Sequence, residues 1–290
     1  MKSGFVNIFG QPNAGKSTLL NALIGEKMAI VSPRVQTTRH RIKVFLNAPG
    51  NYQIVLSDTP GIIEPKYKLH ETMMQAVQSA LEDADLALLL VDITTDWQQT
   101  DDIFSRLRLK VPAIVVLNKI DAVGKDKVES ATQFFQAKKY CKQVIPVSAL
   151  QKKHLDILLA AILPYIPDGM PFYSEEDMSD LPMRFFVGEM IREKIYATCE
   201  EEIPYQTAVV VNEYTEKEQL VKIQADIIVS RESQKAIILG ERGSRIKEIG
   251  TLARTDIEAF IGRKVFLELF VKVRPNWRDN ERQLKEYGYR

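Results

Sequence analysis

The stretch Gly10-Gln11-Pro12-Asn13-Ala14-Gly15-Lys16-Ser17 decides how the first half of this chain folds. It fits the pattern G-x-x-x-x-G-K-[ST]. It also stands where such a loop must, after an apolar run at 5–9 and before an amphipathic run at 16–23. Two glycines let the backbone turn so that its N–H groups point inward at phosphate oxygens. The N-terminus of the following helix adds partial positive charge at the same place. Lys16 is expected to reach the β- and γ-phosphates, and the Ser17 hydroxyl to ligate Mg²⁺.

Outward from this loop, β-rich runs alternate with amphipathic ones. Strands are expected at 5–9, 41–46, 53–57, 86–92, 113–118 and 144–146, and helices at 16–23, 71–81, 100–107, 126–138 and 154–162. Alternation of this kind predicts an α/β domain, a mostly parallel sheet with helices on both faces. The run 86–91 is apolar at every position, so it reads as a central strand.

A phosphate loop does not choose its base, but Asn118-Lys119-Ile120-Asp121 does. It follows an apolar strand, so it falls at the strand ends where nucleotides bind in such sheets. A carboxylate at Asp121 accepts from guanine N1–H and its exocyclic amine. Against adenine it would be left unpaired, a penalty of roughly 1–3 kcal/mol or more. Asn118 is expected to bond the base edge and the phosphate loop, and the Lys119 stem to cover the ring. Ser148-Ala149-Leu150, past the next strand, offers a second, backbone contact to the base.

Asp58-Thr59-Pro60-Gly61 follows another strand. Asp58 is placed to hold Mg²⁺ through water, and the Gly61 amide to sense the γ-phosphate. Between the two loops lies Gln36-Thr37-Thr38-Arg39, whose threonine should complete the metal shell. Spacing does not separate Thr37 from Thr38, and Thr38 is preferred. The nucleotide reading thus takes in Gly10 to Ser17, Asp58 to Gly61, Ile62, Asn118 to Asp121 and Ser148 to Leu150. Its metal ligands are Ser17, Thr38 and Asp58. The residue after Gly61 is Ile62, whose side chain has no hydrogen-bonding group with which to orient water. Turnover is then expected to be slow or partner-assisted. A nucleotide-gated scaffold with negligible turnover is the alternative.

Residues 164–182 change character. Pro164, Pro167, Pro171 and Pro182 are interleaved with Glu175, Glu176, Asp177 and Asp180, which predicts a solvated linker over 166–182. The domains expected are 1–165, and 183–290 with a C-terminal tail. The second begins with a helix at 183–199, then strands at 207–214 and 221–229. Ala236 to Ile246 passes through a glycine-bracketed turn into a helix at 244–261, and a last strand runs 265–273. The turn, Gly240-Glu241-Arg242-Gly243, is a G-x-x-G between apolar elements. In a KH fold such a loop lets the chain press against a nucleic-acid backbone. Arg242, Arg245 and Lys247 lie where phosphates would pass, and Ile238, Ile246 and Ile249 are expected to form an apolar floor under the bases. Residues 231–290 carry 14 Lys/Arg against 9 Asp/Glu, although the whole chain of 290 residues has a net charge of only +1. That local excess hints at a polyanion.

Two cysteines, Cys141 and Cys199, match no metal-ligand spacing and suggest no disulfide framework. The N-terminal apolar run is too short for a signal peptide, and no run approaches the roughly 20 residues of a membrane span.

With GQPNAGKS, QTTR, DTPG, NKID and SAL in this order, the first half resembles GTPases of the TrmE–Era–EngA group. The order helix, strand, strand, short element, helix, strand resembles an α+β type II KH domain. The whole chain, with Val271-Lys-Val-Arg-Pro-Asn-Trp-Arg278 near its end, resembles the Era family of bacterial GTPases. A tRNA-modification GTPase of the same superfamily would instead carry a C-terminal catalytic cysteine, and here the last residue is Arg290. The resemblance implies GTP and GDP as ligands, catalysis through Lys16, Thr38, Gly61 and Asn13, and K⁺ held near the phosphates by Asn13. It further implies a cytoplasmic monomer that binds the 3′ end of 16S rRNA in small-subunit assembly and touches the inner face of the cell membrane at most peripherally.

Overall fold

Leu86–Asp92 leaves no face for solvent, because Leu86 through Val91 are all fully buried. A strand of this kind needs a neighbour on each edge and a helix layer on each face. The computed structural model, which describes residues 1–289, provides them. Along the chain run β1 (Lys2–Gly10), α1 (Lys16–Ile24), β2 (Ile42–Ala48), β3 (Tyr52–Asp58), α2 (Lys68–Glu82), β4 (Leu86–Asp92), α3 (Trp97–Arg106), β5 (Ala113–Asn118), α4 (Lys125–Gln136), β6 (Cys141–Pro146) and α5 (Leu155–Ile162). The sheet order is β2-β3-β1-β4-β5-β6. All pairs are parallel except β2, which lies antiparallel to β3 at one edge. The order reverses at β1, so the carboxyl ends of β1, β3 and β5 open at the place where such sheets bind ligands.

The contacts divide the chain into two units, and not at one point. Unit 1 is Met1–Ala29, Thr38–Pro65 and Met73–Asp180. Unit 2 takes Ile30–Thr37, Lys66–Thr72 and everything described from Leu181 onward.

The stretch expected to be a solvated linker is instead bound to unit 1 as far as Asp180. Prolines do keep it out of helix and ladder, yet its backbone is paired. Gln53 is fully buried. Its Oε1 accepts from the amides of Phe172 (2.7 Å) and Tyr173 (3.0 Å), and its Nε2 donates to the Tyr173 carbonyl at 2.9 Å. The Tyr173 ring stacks on Phe45 with centroids 4.0 Å apart. The Phe45 amide donates to the Met178 carbonyl at 2.9 Å, and Val44 bridges Ser179, so the segment borders the free edge of β2.

Unit 2 has α6 (Met183–Thr198), β7 (Ala208–Glu216), β8 (Val221–Val229), α7 (Glu232–Leu239), α8 (Ser244–Ile261), β9 (Val265–Val273) and α9 (Glu281–Glu286). Its sheet runs β7-β8-β9, antiparallel in the first pair and parallel in the second. Val187, Ile191 and Ile195 of α6 meet Ile223 and Ile227 of β8 and Ile249, Ala253 and Ile257 of α8 in one core. The helix α7 starts earlier than the sequence suggests, because Gln234 Oε1 accepts from the amides of Ser230 and Arg231 and organises its first turn. The expected tail is folded: Trp277 is buried, donates to the Gln206 carbonyl at 3.0 Å and stacks with Tyr289. No helix among the described residues is long and apolar enough to cross a membrane.

Replacing Gln53 by Ala leaves two backbone amides without their acceptor. The expected outcome is a loss of about 2 kcal/mol in urea unfolding, with faster proteolytic cutting between 166 and 180. An unchanged cutting rate would show that Gln53 does not hold this segment.

Candidate functional site

The turn after β1 brings opposite charges together out of water. Lys16, the first residue of α1, and Asp58, the last of β3, are both buried. Burial lowers the Lys16 pKa to about 8 against the pull of Asp58, and burial raises the Asp58 carboxyl against the pull of Lys16. Lys16 Nζ donates to the carbonyls of Gly10 (3.1 Å) and Gln11 (2.9 Å), which pins the loop across its mouth. Ser17 Oγ donates to Asp58 Oδ2 at 2.6 Å, Thr38 Oγ1 donates to the same oxygen at 3.0 Å, and the two hydroxyls are 2.8 Å apart. Asp58 Oδ1 is buried without a hydrogen-bond partner. Two hydroxyl oxygens beside one buried, half-satisfied carboxylate fit Mg²⁺, which takes a few protein oxygens and keeps its remaining ligands as water and phosphate. Thr37 Oγ1 donates to the Arg34 carbonyl at 2.8 Å.

The loop conformation depends on Gly15, where φ is +96° and an added Cβ would lie 2.3 Å from Asn118 Nδ2. That neighbour ties three segments together. Asn118 Nδ2 donates to the Ala14 carbonyl at 2.9 Å, and its Oδ1 accepts from the Ala149 amide at 3.0 Å. Asn118 thus holds the loops that frame the pocket. Lys119 takes a left-handed φ of 67°, and its ammonium meets Asp92 Oδ2, at the end of β4, at 2.5 Å. Asp121 is exposed in the short turn that follows β5, open to a ligand. Ser148 and Ala149 are buried, whereas the Leu150 side chain is 77% exposed. Thr59 Oγ1 donates to the Ile8 carbonyl at 2.6 Å, and Gly61 lies so close to Pro12 that a Cβ would come within 2.9 Å of it. The Ile62 amide donates to the Gly10 carbonyl at 3.2 Å, and its side chain packs on the sheet core. Asn13 is exposed at the loop tip with φ 62°.

In unit 2 the G-x-x-G loop links α7 to α8. Gly240 has φ +70°, and an added Cβ would lie 2.8 Å from the Arg245 amide nitrogen, so only glycine fits. Gly243 has φ +79° with open space beyond its Cα. Glu241, Arg242 and Lys247 are exposed, and Arg245 is half-buried, donating to the Ile237 carbonyl at 3.4 Å. Beside the loop is a cleft of about 440 Å³ lined by Ile246, Lys247, Gly250, Thr251, Arg254, Leu267 and Leu269.

This corrects the expected floor. Ile238 and Ile249 are fully buried in the core of unit 2 and do not reach the cleft. The reason is helical period: 249, 253 and 257 share the inward stripe of α8, while 246, 250 and 254 lie one face over. Leu267 and Leu269 supply the rest of the floor from β9. Counting in fours from Ile246 would have found Gly250 and Arg254. Asp92, which orients Lys119, was signalled only by an acid ending an apolar strand.

A family model described as a 50S ribosome-binding GTPase matches residues 5–119, and a KH domain model matches 202–278. The GTPase Era of Ruminiclostridium cellulolyticum is 41% identical over 100% of this chain and 98% of its own length. That of Geobacter sp. strain M21 is 44% identical over 99% and 98%. Two solved structures share 40% identity and a TM-score of 0.95, each covering 100% of this chain and 99% of the other. One is a substituted Aquifex aeolicus Era bound to GDP·AlF₄⁻, and the other is Era in complex with MgGDPNP and nucleotides 1506–1542 of 16S ribosomal RNA. A phosphate-loop GTPase joined to a KH domain is the class that the fold and the sites define. The chain belongs to the Era family of GTPases.

Proposed function

We propose that this GTPase acts in assembly and maturation of the small ribosomal subunit, with its KH cleft holding single-stranded RNA at the 3′ end of 16S rRNA and its nucleotide state setting that binding. The observation that carries the reading is the cleft itself. It joins an apolar floor, two exposed cations and a glycine-bracketed helix start, the combination that clamps a single strand. The relative bound to a 16S fragment supports the choice of RNA.

In unit 1, Lys16 and the amides from Asn13 to Ser17 bind the β- and γ-phosphates. Ser17, Thr38 and Asp58 hold Mg²⁺, which neutralises charge developing on the phosphate oxygens. Gly61 presents its amide to the γ-phosphate, and Asp121 reads guanine. Ile62 has no hydrogen-bonding side chain, so the attacking water is oriented by other groups. Asn13, exposed at the tip of the phosphate loop, would hold K⁺, which would supply positive charge beside the phosphates. Among the described residues no group of three His, Cys, Asp or Glu side chains offers an alternative metal site.

Three outcomes are expected. Gly243→Asp, at a position with open space and a φ that Asp tolerates better than most residues, weakens binding of a 16S 3′-end oligonucleotide at least tenfold and leaves GTP affinity unchanged. RNA affinity equal to the parent's would remove the KH reading. Asp121→Asn shifts nucleotide preference from GTP towards xanthosine triphosphate in competition binding, and retained guanine preference would exclude Asp121 as the base reader. Single-turnover GTP hydrolysis runs faster in K⁺ than in Na⁺ at equal ionic strength, and equal rates would end the role given to Asn13.

A further inference from the structure

The end of the unit 1 sheet away from the nucleotide carries a strip of cations. Between Asp102 and Asp121 the chain has no acidic residue, and the same holds between Glu129 and Asp156. The first stretch leaves α3 as Arg106-Leu107-Arg108-Leu109-Lys110 and enters β5 at Ala113. Burial alternates along it. Arg106, Arg108 and Lys110 are exposed, whereas Leu107, Leu109 and Val111 are half-buried against the core that β4 and β5 share. The apolar residues thus anchor the stretch and leave its cations to solvent. In an extended chain alternate side chains lie about 6.6 Å apart, an interval comparable to that between successive phosphates of a nucleic-acid strand.

The turn into β6 lies beside this strip. Ala113, the first residue of β5, pairs with Cys141, the first of β6. The turn is also packed on α3. Tyr140 Oη donates to Asp101 Oδ1 at 2.6 Å, Lys138 pairs with Asp101 Oδ2, and the Tyr140 ring meets Phe104 edge-on at 6.2 Å. Lys138 is therefore neutralised, but Lys139 and Lys142 are exposed. None of Arg106, Arg108, Lys110, Lys139 and Lys142 makes an ion pair or a side-chain hydrogen bond among the described residues. Arg106 and Lys139 stand at the carboxyl ends of α3 and α4, where a cation is favoured by the helix alone. Arg108, Lys110 and Lys142 have no such account. Like charges gathered without partners raise the local potential and draw anions.

The surroundings of the strip choose among anions. A membrane surface calls for apolar or aromatic side chains that enter the interface, and unpaired bases call for exposed rings on which to stack. Among the described residues no large apolar side chain is exposed over 103–112 or 137–146. What such a strip fits is a phosphate backbone held by charge, as on folded, double-stranded RNA. We propose that Arg106, Arg108, Lys110, Lys139 and Lys142 form a second RNA-contact surface, on unit 1, which holds the backbone of double-stranded RNA without reading its sequence. β5 spans about 20 Å between this strip and Asn118, so RNA held here leaves the nucleotide site open. The surface draws on no residue of the KH cleft and does not rest on what that cleft binds.

The test titrates the full-length chain with a blunt RNA duplex that has no single-stranded ends, over a range of salt concentrations, and in parallel with the single-stranded 16S 3′-end oligonucleotide and with GTP. The triple variant Arg106→Gln, Arg108→Gln, Lys110→Gln is expected to weaken duplex binding about tenfold or more. Each phosphate contact adds about 0.9 to the salt slope, so the slope falls by about 2 to 3. Lys139→Gln with Lys142→Gln, at a separate place in the chain, weakens the duplex about fivefold and takes about 1 to 2 from the slope. Both variants keep the thermal unfolding midpoint and leave single-strand and GTP affinities within about twofold, because none of the five side chains is paired in the fold. Gly243→Asp keeps the duplex whether or not it loses the single strand, so failure of the KH reading leaves this inference standing. Unchanged duplex affinity and salt slope in both multiple variants would overturn it. So would loss of the duplex in Gly243→Asp, or loss of binding to anionic lipid vesicles with duplex binding retained.

Discussion

Lys16 and Asp58 are the constraint around which unit 1 is organised. Each loses its hydration at the end of a strand or the start of a helix, and for each the cost of burial outweighs the attraction of the other. A buried pair in that condition is tolerable only if further groups complete it. Some do: two carbonyls take the ammonium, and two hydroxyls take one carboxylate oxygen. The other carboxylate oxygen has nothing. The cluster is therefore an unfinished ion site. An anion would complete the surroundings of Lys16, and a hard cation those of Asp58.

The rest of the site is arranged to keep that cluster open and rigid. Parallel strands place Gly10, Asp58 and Asn118 at one edge of the sheet. Asn118 then spans from the phosphate loop to the loop after β6 and ties the two together. Gly15 is the cost of that arrangement, since any side chain there would occupy the space Asn118 needs.

The sheet of unit 1 and the phosphate loop were legible in the sequence because both rest on local rules. A strand buried on both faces reads as an unbroken apolar run, and a phosphate loop reads as glycines at fixed offsets. What was not legible depends on which surfaces meet. Proline and acid content over 166–182 describes a chain that forms no helix, and it says nothing about a buried Gln53 waiting to bind its amides. Isoleucines flanking a G-x-x-G loop look alike in sequence, yet Ile238 and Ile249 face the core and Ile246 faces the cleft.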